Sequence, residues 1–81
     1  MKQIIFYTKE NCSLCDDAYA LLKLFQNYYQ FDLIERDIYS NDKWLEEFQL
    51  LIPVVELGSR IIDCEEINYD VLEEAIKNYT S

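Results

Sequence analysis

Cys12 and Cys15 are the residues whose type and spacing could do chemistry. They close the stretch Thr8-Lys9-Glu10-Asn11-Cys12-Ser13-Leu14-Cys15, which lies between an apolar run, Ile4-Ile5-Phe6-Tyr7, and a helical pattern that begins at Ser13. Two cysteines at this spacing on a helix start share one face, close enough for their sulfurs to bond. The unpaired backbone N–H groups of a first helical turn also stabilise a thiolate. Such a pair is suited to gaining and losing a disulfide. Cys12 precedes the helix and is expected to be the more exposed sulfur, whereas Cys15 lies one turn in and is partly covered. The competing uses are core filling and metal binding. Zinc takes four ligands, and besides this pair the chain has Cys64 and no histidine. No metal site is therefore expected within one chain, which leaves a zinc or iron–sulfur site shared between two chains as the metal alternative.

Three other groups bear on this chemistry. Lys9 is the one cation near the pair, placed either to favour a thiolate and meet a substrate carboxylate or simply to face solvent. Leu14 between the cysteines and Leu51 before Ile52-Pro53 offer an apolar rim that suits an extended protein segment docking by strand pairing. Cys64 is expected late in a fourth strand, alternating with Ile62, as a small apolar filler or as an auxiliary thiol that glutathionylates or bridges chains under oxidation. Its neighbours Asp63, Glu65 and Glu66 would slow it as a nucleophile.

The elements that must position these groups follow from periodicity. Residues 3–8 are nearly continuously apolar, as in a central strand buried on both faces. Leu14, Ala18, Leu21, Leu22, Phe25 and Tyr28 or Tyr29 recur at helical spacing, which predicts a helix from Ser13 to about Tyr28. Phe31 to Ile38 reads as a strand near a sheet edge. Strand, helix, strand in that order implies a right-handed crossover between parallel strands. Ser40-Asn41-Asp42 supplies an N-cap for a short helix with the face Trp44, Leu45, Phe48 and Leu51. Ile52 to Leu57 is a third strand with Pro53 near its start, Gly58-Ser59 a tight turn, and Arg60 to Glu65 the returning strand. Asn68 caps a last helix that turns Val71, Leu72, Ala75, Ile76 and Tyr79 toward the sheet.

Length and charge exclude several classes. Residues 1–81 are expected to form one domain and a monomer. Seven Lys and Arg against 16 Asp and Glu give a net charge of −9, which repels phosphate backbones and anionic membrane surfaces. Neither nucleic acid nor membrane is an expected partner. No apolar run reaches the roughly 18 residues of a membrane span, and Met1-Lys2-Gln3 leads into a strand instead of a signal-peptide apolar region. A cytoplasmic location is expected. There, Cys-x-x-Cys beside a strand and a helix means redox or metal chemistry and not a structural bridge.

The pattern β-α-β-α-β-β-α, with the cysteine pair after the first strand and a proline opening the third, resembles the minimal thioredoxin fold of glutaredoxins. It is most similar to small glutaredoxin-like proteins with a Tyr-Thr-x-x-x-Cys-x-Leu-Cys-Asp start and an Ile-Pro-Val-Val hairpin, matched by Tyr7-Thr8, Cys12, Leu14-Cys15-Asp16 and Ile52-Pro53-Val54-Val55. The resemblance implies an α/β fold with a four-stranded mixed sheet in the order 2-1-3-4, the third strand antiparallel, helices on both faces and a cis peptide at Pro53. It also implies that Cys12 attacks, that Cys15 resolves the mixed disulfide, and that Pro53 faces the pair. Ile52 would offer its N–H and C=O to an incoming chain.

The activity implied is that of a thiol–disulfide oxidoreductase with no bound cofactor beyond the redox-active Cys12–Cys15 disulfide. Its substrates would be protein or small-molecule disulfides, and glutathione or a flavoprotein reductase would be the electron donor. The alternative is a non-catalytic module that docks a partner in the Pro53 groove. Where glutaredoxins hold glutathione's γ-glutamyl end with two glycines and an acidic residue, this chain reads Asp63-Cys64-Glu65-Glu66, so glutathione is expected to be used poorly. Leu14 replaces the aromatic common between glutaredoxin cysteines. Asn11 and Phe6 stand where thioredoxins carry a tryptophan and a buried aspartate.

Overall fold

Alternation along the central strand decides which face each helix covers. A computed structural model describes residues 1–81, and its first strand, β1, spans Gln3–Thr8. Successive side chains of a strand point to opposite faces. Ile4 and Phe6 accordingly enter one apolar cluster, and Tyr7, with Ile5 packed against it, enters another. The first face is covered by α1 (Ser13–Phe25) and α3 (Tyr69–Thr80), which contribute Cys15, Ala18, Leu22, Phe25, Leu72, Ala75 and Ile76 to the larger core. The second face is covered by α2 (Asp42–Phe48), with Phe48 buried and Trp44 and Leu45 packed beside it.

The sheet has the order β2-β1-β3-β4, with β2 Asp32–Asp37, β3 Val54–Leu57 and β4 Arg60–Ile62. β1 runs parallel to β2 and antiparallel to β3, and β3 is antiparallel to β4. The architecture is the mixed four-stranded sheet with helices on both faces that the resemblance implied, and β2 lies at an edge. No helix is long and apolar enough to cross a membrane.

Several boundaries differ from the sequence reading, each because a polar group bonds the backbone locally. α1 ends at Phe25, three residues early: the N–H groups of both Tyr28 and Tyr29 bond to the Phe25 carbonyl, and the Gln26 side chain reaches the Phe31 carbonyl at 3.1 Å. Tyr29 packs on the core while Tyr28 is exposed. β2 stops at Asp37, whose carboxylate accepts from the Tyr39 N–H at 2.9 Å and opens a single 3₁₀ turn over Ile38–Ser40. Asn41, within the expected Ser40-Asn41-Asp42 segment, caps α2 by accepting from Lys43 and Trp44. Leu51 lies beyond α2 and not on its face.

The hairpin is also shorter. Ile52 and Pro53 precede β3 instead of opening it, since the Ile52 N–H bonds back to the Phe48 carbonyl and proline has no N–H to pair. β4 ends at Ile62 because the Asp63 carboxylate accepts from the Glu65 N–H at 3.0 Å while its carbonyl takes the N–H groups of Glu66 and Ile67. This is the Asx-type competition that draws a chain out of a ladder. Cys64 therefore sits in a turn and does not alternate with Ile62 along a strand.

Gly58 in the hairpin turn has φ +61, and a Cβ built there would meet Cε1 of the Tyr79 ring at 3.1 Å. Tyr79 is held in place by its hydroxyl, which donates to the Gln3 carbonyl at 2.9 Å. Gly58→Ala is expected to lower unfolding stability by about 1–2 kcal/mol, the cost of a left-handed non-glycine residue, and urea unfolding of the purified variant measures it. An unchanged midpoint would mean that the turn relaxes freely.

Candidate active site

The cysteine loop is set by a local backbone choice. β1 delivers the chain to Thr8, and Lys9, Glu10 and Asn11 then turn it into α1. Asn11 takes a left-handed conformation, φ 56, which asparagine tolerates better than most residues. The next residue, Cys12, is the N-cap: its carbonyl accepts the Asp16 N–H at 3.0 Å, and its sulfur accepts the Cys15 N–H at 3.1 Å. A sulfur thus occupies the place usually filled by a serine or aspartate oxygen. Cys12 and Cys15 are joined as a disulfide, their Cα atoms 5.2 Å apart. Cys15 is 1% exposed and part of the core, while Cys12 is only half-buried. After reduction, the N–H that now meets a disulfide sulfur would meet a thiolate, which favours the charged form at Cys12.

Register places the second half of the site. Tyr7 pairs with Val54, so the next step brings Thr8 beside Pro53. Val55 pairs with Ile62, where that ladder ends, and past it the Cys64 N–H bonds to the Leu51 carbonyl, two residues before Pro53. On its far side Thr8 pairs with Asp37. Asp37, Thr8 and Pro53 therefore lie at the end of the sheet from which the cysteine loop emerges, with Cys64 in the turn bonded to Leu51. The Ile52–Pro53 peptide is cis. Ile52 and Cys12 both pack on the core that contains Cys15.

The residues singled out in the sequence divide as follows. Leu14 points away from the core at 61% exposure, and Leu51 is 39% exposed; Cys15 takes the buried position at the start of the helical face. Lys9 is half-buried in the loop. Pro53 is buried. Ile52 was expected to present both backbone groups to an incoming chain, but its N–H is committed to Phe48 at 3.1 Å. Its carbonyl accepts no hydrogen bond within the chain. Cys64 is half-buried with a free thiol, and its N–H donates to the Leu51 carbonyl at 3.0 Å. No three Cys, Asp or Glu side chains converge to form a ligand set.

The pattern of the Glutaredoxin-like domain (DUF836) family matches residues 3–77, nearly the whole chain and both halves of this site. The chain belongs to this glutaredoxin-like family. Two solved structures share its fold. One, described as the structure of a malarial protein, aligns with a TM-score of 0.67 at 15% identity, over 98% of this chain and 97% of that one. The other is oxidized mitochondrial thioredoxin 3 from Saccharomyces cerevisiae, with a TM-score of 0.65 and 22% identity over 95% of this chain and 77% of that one. At these identities the likeness speaks for the fold. This glutaredoxin-like chain is a thioredoxin-fold protein whose Cys-x-x-Cys disulfide marks a redox-type site.

The sequence reading missed the support beneath that site. Tyr7 is 4% exposed, and its ring lies 4.2 Å from that of Phe48 and 6.0 Å from that of Trp44. Its hydroxyl accepts from Arg36 Nη1 at 3.0 Å and donates to Glu56 Oε1 at 3.5 Å, and the Arg36 guanidinium stacks over Trp44, 4.8 Å from the ring centre. Phe48 in turn supplies the carbonyl that takes the N–H groups of both Leu51 and Ile52. Tyr7 thus buttresses the turn before Pro53 in the glutaredoxin-like site. A tyrosine in an apolar run gave no local sign of this, because Arg36 meets it across a parallel strand pair whose register depends on chain closure.

Proposed function

We propose that this glutaredoxin-like protein is a thiol–disulfide oxidoreductase that reduces disulfides with the Cys12/Cys15 dithiol. The observation that supports the reading best is the asymmetry of the pair at the start of α1: one sulfur half-buried with an N–H directed at it, the other in the core. The Cys12 thiolate attacks one sulfur of the substrate; that S–S bond breaks, a Cys12–substrate disulfide forms, and the first substrate thiolate leaves and takes up a proton. Cys15 then loses its proton and attacks Cys12 Sγ. The Cys12–Cys15 bond forms, the second substrate thiolate leaves, and two electrons have passed to the substrate.

Protein disulfides fit the site better than glutathione disulfide. The free Ile52 carbonyl and exposed Leu14 and Leu51 give an extended chain one main-chain bond and an apolar contact, whereas the turn that would cradle glutathione's γ-glutamyl end carries Asp63, Glu65 and Glu66. Glutathione or a flavoprotein reductase restores the dithiol, and the protein works in the cytoplasm as a monomer.

The test is reduction of insulin by pre-reduced protein, followed by thiol release and precipitation. Turnover that depends on Cys12 is expected. Insulin left intact while the reduced protein still binds polypeptides would instead identify a non-catalytic module using the same groove.

A further inference from the structure

The charges of this protein are distributed along the sheet, not spread evenly over it. Of the seven cations, Lys2 precedes β1, Lys23 lies in the last turn of α1, Arg60 pairs with Leu57 opposite Ile4, and Lys77 lies in the last turn of α3 near Tyr79, which bonds Gln3. All four belong to the end of the sheet away from the cysteines. Arg36 pairs with Tyr7, one step from the cysteine end, and is stacked on Trp44 beneath α2, while Lys43 lies in the first turn of α2 beside Asp42. At the cysteine end, Lys9 stands against Glu10, Asp16 and Asp17 around α1 and against Asp63, Glu65 and Glu66 in the turn tied to Leu51. Asp16, Asp17, Glu65 and Glu66 are all exposed. Leu14 lies next to the carboxylates that open α1, and Leu51 is bonded to the turn that carries Asp63, Glu65 and Glu66.

The backbone makes these charges matter. Strand pairing beside a cis proline would ordinarily engage two groups of the preceding residue, and here the Ile52 N–H is already used. A docking chain obtains one main-chain bond, so discrimination between partners falls on the apolar rim and on charge.

We infer that the occupant of this surface is an extended, basic segment of a partner protein, carrying lysine or arginine on either side of its disulfide cysteine. The inference rests on the proposed disulfide-reductase function and adds the chemical class of its substrate. Opposite charge raises the encounter rate and excludes acidic competitors.

The experiment is a single turnover of pre-reduced protein, itself the two-electron donor, with three disulfide-linked peptides that differ only in flanking Lys, Gln or Glu. Each rate is divided by the rate of the same peptide with dithiothreitol, which removes the effect of flanking charge on the leaving thiol. The basic peptide is expected to exceed the acidic one by about tenfold or more at about 0.01 M ionic strength, at the low end of electrostatic steering. The ratio should collapse near 1 M salt, where the screening length is about 3 Å.

Glu65→Gln combined with Glu66→Gln should lose a larger part of the preference than Asp32→Asn combined with Glu35→Gln, which removes the same charge from β2, across β1 from the hairpin. Equal rates for the three peptides, a faster acidic peptide, or equal losses in the two double variants would each overturn the inference while leaving the reductase standing. Failure to reduce any of the peptides would remove both.

Discussion

Cys15→Ser is expected to produce a protein that attacks disulfides and cannot release them. Cys12 keeps its place as the N-cap sulfur, and the N–H that meets it belongs to the backbone of residue 15 and survives the change. The intramolecular thiol that would displace the substrate is gone, so the mixed disulfide accumulates. Intact-mass measurement after exposure to a small disulfide should show one adduct per chain, and peptide mapping should place it on Cys12. Cys12→Ser should form no such adduct and reduce no insulin, because Cys15 is 1% exposed and a buried sulfur in an apolar setting is a poor nucleophile. An adduct on Cys64 in place of Cys12 would reverse the assignment of the attacking sulfur. So would a Cys12→Ser protein that retains activity.

Tyr7→Ala is expected to have the largest effect on stability. The substitution empties the space against Phe48 and Trp44 and strips Arg36 and Glu56 of the hydroxyl they share. Truncating a buried aromatic costs about 3–5 kcal/mol, a large share of the roughly 5–15 kcal/mol that holds a small domain folded. Tyr7→Phe keeps the ring and removes the hydroxyl, so it should cost about 1 kcal/mol, the net value of an ordinary hydrogen bond. Urea unfolding of the two variants separates the contributions. A comparable loss in both would assign the stabilisation to the hydroxyl network and not to ring packing. Because Phe48 holds the N–H groups of Leu51 and Ile52, Tyr7→Phe should also be nearly neutral for insulin reduction. A steep fall in activity without loss of stability would show that the Arg36–Tyr7–Glu56 chain tunes the site directly.

The amino-acid sequence by itself determined the kind of chemistry and the order of the elements. A Cys-x-x-Cys opening a helix is a local signal, because one helical turn brings the two sulfurs together whatever the rest of the chain does. The two faces of the sheet were equally local: Ile4 and Phe6 against Ile5 and Tyr7 follow from alternation, and α1 and α3 from the helical period. Boundaries were less legible. Asp37, Asp63 and Gln26 are unremarkable polar residues in one dimension, and only their hydrogen bonds end β2 and β4 and fold the chain after α1.

Tertiary structure alone decided what surrounds the sulfurs. Strand order and sheet closure depend on pairing between residues far apart in the chain, and alternation says which face a residue takes without saying which distant residue it meets. They bring Thr8 and Pro53 to one end of the sheet, set Arg36 opposite Tyr7, and bond the turn that holds Cys64 to Leu51. They also turn a net charge of −9 into a polarity, with four of the seven cations at the end of the sheet away from the cysteines and carboxylates in excess around Lys9 at the cysteine end. The commitment of the Ile52 N–H to Phe48 is of the same kind: it arises where the end of α2 meets the hairpin, and it changes how a partner can be held.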